Sequence, residues 1–208
     1  MVFRQVYPTP ATDASASYDF EDIEEAIGFV RLYAATTSGS KILTRNIVHS
    51  TDITTFDNSI AAGKEIDIDF DTSAFNLPRV AKGTATVSIP FAVQTTGAGG
   101  RCEAYTIADI KHVRDSTETS IGRSTSGAQW ISPTGSGAIF SGSQLHKIAL
   151  TQKIFKKGDF VRLTTEGWVV TAGAGIEIGH DPKNRNSGNL LTAGPTELIS
   201  DIPFVIDL

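Results

Sequence analysis

The sequence predicts an all-β chain: a sandwich or barrel of eight to ten short strands, preceded by one short helix and an extended arm. Three observations predict it. Apolar residues alternate with polar ones in run after run, which is the period of a half-buried strand. Ser and Thr number 18 and 24 among 208 residues, and Gly and Pro 19 and 8, a mixture that favours strands and turns over helices. No long helical pattern separates one strand candidate from the next, which excludes a doubly wound α/β fold.

Residues 1–18 read as an extended arm, with Pro8 and Pro10 among small polar residues and no apolar period. Such an arm is either a frayed end or a segment that orders against a neighbouring subunit. Val2, Phe3, Val6 and Tyr7 give it apolar surface to bury. Residues 19–27, DFEDIEEAI, form the helical candidate. Asp19 caps its start, the acids of its first turn suit the positive end of a helix dipole, and Phe20, Ile23 and Ile27 recur at helical spacing. Gly28 ends it.

From there the period is two, and residues 19–208 read as a single domain. FVRLYAA (29–35) and KILTRNIV (41–48) flank a turn at TTSGS. EIDIDF (65–70) puts Ile66, Ile68 and Phe70 on one face and Asp67 and Asp69 on the other. TATVSIPFAVQ (84–94) turns Ala85, Val87, Ile89, Phe91 and Val93 inward, and Pro90 predicts an edge strand or a bulge. RCEAYTIADIKHVRD (101–115) is a further strand by its β-branched and aromatic content. Residues 116–143 hold 12 Ser or Thr and 5 Gly around Trp130, Ile131, Ile139 and Phe140. They read either as short strands or as a projecting hairpin that packs on a partner. QLHKIALTQKIF (144–155) and DFVRLTTEGWVV (159–170) flank Lys156–Lys157–Gly158, the pattern of a β-hairpin. GIEIG (175–179) and LISDIPFVIDL (198–208) complete the strands, around a polar loop at 180–196.

Composition excludes several functions. Eighteen basic against 23 acidic residues leave a net charge of -5, so no basic face for nucleic acid is expected. The one cysteine rules out an internal disulfide and a multi-thiolate metal site. No run approaches the roughly 20 apolar residues of a membrane span. The first residues lack the apolar stretch of a secretion signal. The chain is therefore expected to be made and kept inside a cell, or to leave inside something larger.

Chemical signatures are thin. No Gly-x-Ser-x-Gly occurs, so no hydrolase nucleophile turn is indicated. Gly63-Lys64 lacks the first glycine and the hydroxyl of a phosphate-binding loop, and no helix pattern follows Gly97, Gly99 and Gly100. His49, His112, His146 and His180 show no metal-ligand spacing, and His180-Asp181 fits a solvated loop. Asp67, Asp69 and Asp71 could offer oxygens to calcium, but solvation opposite an Ile–Ile–Phe face accounts for them. Only Trp130 and Trp168 could serve as sugar platforms, and Trp168 sits in a strand that reads as core. Lys157-Gly158-Asp159 reads as turn chemistry rather than a receptor motif.

KKGDFVRLTTEGWVV (156–170), DIPFVIDL (201–208) and DFEDIEEAIGFVRLYAA (19–35) together resemble jelly-roll virion structural proteins of tailed bacteriophages, the head-decoration and minor capsid components. The resemblance implies a jelly-roll-like β-sandwich. It also implies a non-enzymatic function as a capsid decoration or cement protein, made in a host cytoplasm and carried in the virion. It would form a homo-oligomer, a trimer by expectation, against the major capsid protein or other virion proteins. It would need no cofactor, nucleic acid or membrane. Phe3, Tyr7, Trp130 and Phe140 are then the expected interface residues, drawn from the arm (1–18) and the 116–143 segment. The first alternative is a host-attachment or carbohydrate-binding β-sandwich of a tail or fibre, marked by exposed Trp or Tyr on one face. The second is an enzyme, marked by a pocket lined with carboxylates or histidines.

Overall fold

A computed structural model describes residues 27–58, 61–95, 102–127, 129–130, 137–173, 175–192 and 195–205. The expected arm (1–18) and nearly all of the expected helix (19–27) lie outside these residues. Twelve strands are described: β1 (Ile27–Thr37), β2 (Ser40–Thr44), β3 (Thr54–Asp57), β4 (Gly63–Asp71), β5 (Arg79–Gln94) and β6 (Glu103–Arg114) come first. β7 (Thr117–Thr125), β8 (Gln129–Trp130), β9 (Ile139–Phe155), β10 (Phe160–Thr171), β11 (Gly175–Gly179) and β12 (Ile199–Val205) follow. The all-β expectation holds over the described residues. Ile27 and Gly28 do not end a helix: they start β1, paired with Val205 and Phe204.

Hydrogen bonds link the strands into one sheet of order β3-β11-β5-β12-β1-β2-β4-β10-β6-β7, with β9 on β5 and β8 on β6. The sheet has a thin seam. β2 meets β4 through one parallel pair, Ile42 and Asp71, while every neighbouring pair is antiparallel. On either side of the seam the apolar faces meet. Ile66, Ile68, Phe70, Ile110 and Leu163 from one side share a core with Val87, Ile89, Ile148, Ile176, Ile178 and Ile202 from the other, none more than 2% exposed. Burying each such side chain stabilises the fold by about 1.5–3 kcal/mol. Contacts across the core are close. A Cβ on Gly167 of β10 would lie 2.9 Å from Ile176 Cδ1 of β11, and one on Gly122 of β7 would lie 2.6 Å from Ile148 Cγ2 of β9.

Local chemistry explains the tight turns. Ser38 and Gly39 (φ 49° and 82°) join β1 to β2, and Asp115 and Ser116 (φ 47° and 64°) join β6 to β7. Two successive positive φ values match the right-handed twist of the strands they connect. The 116–143 segment is therefore not a single long loop: its first part is β7, paired along β6.

Two further expectations are corrected. The runs flanking Lys156–Gly158 do not form a hairpin with each other. β9 pairs with β5, and β10 pairs with β4 and β6, so residues 156–159 cross from one side of the core to the other. Pro90 lies in a strand with partners on both sides rather than at an edge. Its partner on one side is Ser143 of β9. On the other, the β12 ladder stops at Ser88 and the β11 ladder begins at Phe91. Pro90 thus falls between the end of the β12 ladder and the start of the β11 ladder, a break in which a residue without an N–H is tolerated.

Candidate functional site

The seam shapes a cavity. Because β2 and β4 share only one residue pair, and because residues 72–78 loop away before β5, a cleft of about 650 Å³ opens at this end of the core. Val30, Leu32, Leu43, Phe75 and Phe204 form its floor. Phe75 is held edge-on against Phe155 and Phe204, at ring distances of 5.3 and 5.8 Å. The rim carries Lys41, Arg45 and Arg79 against one carboxylate, Asp71. That carboxylate is already engaged, since Arg162 donates to its two oxygens at 2.7 Å each. The cleft therefore joins an apolar floor to a rim with an excess of positive charge. Arg79 lies over the Phe75 ring at 5.8 Å, a cation–π arrangement that holds the guanidinium at the mouth.

The imidazoles sit elsewhere. His112 donates through Nε2 to Asp159 Oδ2 at 2.7 Å, with both groups buried. Burial acts to raise the Asp159 pKa, but the bonds from His112 and the Lys156 amide, with the charges of His112 and Arg114, hold it below the ordinary carboxylate value. His146 Nε2 lies 2.9 Å from Thr106 Oγ1, which donates in turn to Gln144 Oε1. Burial pushes the His146 pKa down. His180 lies between Thr36 and Thr55 and against Phe70, and burial lowers its pKa to about 4. His49 is exposed. Thr106 and His112 are six residues apart on β6, so the two buried pairs are about 20 Å apart. One has a hydroxyl with its imidazole, the other a carboxylate, and no hydroxyl–imidazole–carboxylate triad is assembled among the described residues.

No cluster of three metal-ligating side chains occurs among the described residues. Lys64 takes Asp67 at 2.5 Å, Arg162 takes Asp69 and Asp71, and Thr164 donates to Asp69 at 2.5 Å. These cationic and hydroxyl partners occupy the oxygens that a calcium ion would need.

The outward face of β4, β10, β6 and β7 carries a second assembly. Trp168 and Tyr105 are register partners on β10 and β6, with parallel rings at 6° and centroids 6.1 Å apart. Trp168 Nε1 donates to Glu166 Oε2 at 2.6 Å. Arg123 Nη2 reaches both oxygens of Glu166, at 3.3 and 3.1 Å, and Arg123 Nη1 reaches Asp109 at 3.4 Å. Ser120 donates to the other Asp109 oxygen at 2.6 Å. The sequence predicts a core position for Trp168, and the structure corrects it. Val161, Leu163, Thr165, Gly167 and Val169 alternate inward, and Arg162, Thr164, Glu166 and Trp168 share the outer face. The signal was present in the parity of DFVRLTTEGWVV, where Val161 and Leu163 set the inward positions.

Of the four expected interface residues, Trp130 and Phe140 are among the described ones. Phe3 and Tyr7 lie outside the described residues. The backbone of Trp130 pairs with Glu103 at the end of β6. Phe140 sits opposite Val93 on β9, 45% exposed.

No family model matches the chain, and no curated protein sequence matches it either. Among solved structures it is similar to a CocE/NonD family hydrolase from Staphylococcus aureus. The TM-score is 0.52 at 11% identity, over 86% of this chain and 37% of the hydrolase. A second structure of that hydrolase also gives 0.52, over 87% and 37%. An aminopeptidase from the marine sediment archaeon Thaumarchaeota archaeon scores 0.49 at 8% identity, over 88% and 37%. The chain thus spans little more than a third of the length of these structures. At such identity the likeness is one of fold.

These comparisons correct two expectations, that the chain is a capsid decoration protein and that it is not an enzyme. Both rested on an all-β architecture without a catalytic motif. That same architecture forms part of a hydrolase, so it does not argue for a shell component or against an enzyme.

Proposed function

We propose that the chain is a jelly-roll-like β-sandwich that works as the acyl-binding part of a hydrolytic enzyme, with the cleft beside β2 and residues 72–79 as its ligand site. The shared core of the two sides of the sheet supports the sandwich. The likeness to a hydrolase over 86% of this chain but 37% of that one supports a part of an enzyme.

The observation that carries the reading is the cleft itself. Its volume of about 650 Å³ suits a small ligand. Its apolar floor takes an alkyl or aromatic acyl group, and Lys41, Arg45 and Arg79 hold a carbonyl or carboxylate at the rim.

Titration calorimetry of the full chain with phenylacetate and with hexanoate tests this, alongside hydrolysis of their p-nitrophenyl esters. Saturable binding of one acid, weakened about tenfold in Arg79→Ala, is the expected outcome. A chain that neither binds these acids nor hydrolyses their esters overturns the proposal.

A further inference from the structure

We propose that the outward face of β6 and β10 binds a neutral sugar ring, with Tyr105 and Trp168 as its platform and the exposed Arg123, held in place by the buried carboxylates of Glu166 and Asp109, as its hydrogen-bonding group. The site is separate from the cleft and does not rest on the reading of it.

The first argument is placement. Trp168 and Tyr105 lie side by side on the face opposite the core. There they add nothing to the packing of Leu163, Ile110 and Phe70. Partly exposed rings on a charged sheet face, here near one end of β6 and β10, are a poor solution for solubility alone.

The second argument is rigidity. The indole N–H is bound to Glu166, Glu166 to Arg123, Arg123 to Asp109, and Asp109 to Ser120. Each side chain is held by the next. The rings and carboxylates are thus ordered before any ligand arrives, which reduces the entropy cost of binding.

The third argument is chemistry. A pyranose has an apolar C–H face that packs on an aromatic ring and a rim of hydroxyls that bond to carboxylates and guanidinium groups. A nucleobase also stacks on aromatic rings but brings phosphate with it. On this face Asp67, Asp69, Asp71, Asp109, Glu118 and Glu166 stand against Lys64, Lys111, Arg123 and Arg162. The negative excess disfavours a phosphate and leaves an uncharged ring as the better fit.

The test uses the full chain and four neutral probes: chitotriose, cellotetraose, maltotetraose and xylotetraose, with AMP as the stacking control. Each is titrated to about 10 mM while the Trp168 indole N–H and Arg123 Nε–H resonances are followed by NMR. At least one sugar is expected to shift both resonances saturably. Trp168→Ala should weaken that sugar about tenfold or more, and Trp168→Phe should retain part of the affinity. Arg79→Ala, in the cleft, should leave it unchanged. If Trp168→Ala does not fold, the wild-type resonance shifts decide the matter. Absence of any shift with all four sugars, shifts with AMP alone, or binding untouched by Trp168→Ala in a folded protein would each overturn the proposal.

Discussion

His112 Nε2 donates a 2.7 Å hydrogen bond to Asp159 Oδ2, tying β6 to the segment that crosses between β9 and β10. The crossing has no ladder of its own, so it is held by such bonds. Asp159 Oδ2 also accepts from the Lys156 amide at 2.8 Å, and the backbones of Gly158 and Asp159 exchange bonds with Phe75. Phe75 lines the cleft, so the same tie steadies its floor.

Asp159→Ala is expected to destabilise the protein by about 3 kcal/mol, because it leaves a buried imidazole N–H and an amide without an acceptor. The denaturant midpoint should fall with an unchanged slope. A loss under about 1 kcal/mol would contradict this role for the pair.

Stability should fall as pH drops from about 6.5 towards 4. His180 has its pKa lowered to about 4 by burial, so the unfolded chain binds this proton first. Stability then rises with pH across that window and is complete above it. His180 is 1% exposed, and the shift corresponds to about 3 kcal/mol. Burial lowers the His146 pKa as well, and the two effects act in the same direction. Urea unfolding at a series of pH values checks this, with His180→Gln flattening the profile. Asp159 and Asp181, held below the ordinary carboxylate value, extend the acid loss to still lower pH.

Glu177→Ala should loosen the loop at 180–196. Glu177 Oε2 accepts from the amides of Leu190 and Leu191, at 2.8 and 2.6 Å, and the carboxylate is fully buried. Removing it leaves two buried amides unpaired, at a cost of about 2–4 kcal/mol. Hydrogen exchange should show faster exchange at Leu190 and Leu191 than in β5. Unchanged exchange at these two amides would rule this role out.

Gly122→Ala should cost about 1–3 kcal/mol by overpacking. The added Cβ would meet Ile148 Cγ2 at 2.6 Å and the Ala149 carbonyl at 3.0 Å. Ile148→Ala, which makes room, should recover part of the loss in the double variant. Thermal melts of the four proteins measure that coupling, and strict additivity would show that the two residues do not press on each other.

Alternation alone made the strands legible. EIDIDF buries Ile66, Ile68 and Phe70, and TATVSIPFAVQ turns Ala85, Val87, Ile89, Phe91 and Val93 into the core, because a strand presents successive side chains to opposite faces; that Ala92 is buried too, against Leu190 and Leu191 on the other face, is not written in the alternation. The outer position of Trp168 was within reach by the same rule. Strand pairing was not, because partner choice is a long-range matter. A short glycine-bearing turn between two alternating runs looks the same whether the runs pair with each other or, like β9 and β10, with strands remote in the sequence. The same holds for Pro90, whose tolerance depends on where β12 ends and β11 begins. The cleft, the Tyr105–Trp168 pair and the His112–Asp159 tie each join residues remote in sequence. Local propensity decided which segments became strands, and packing of the whole chain decided which side chains met.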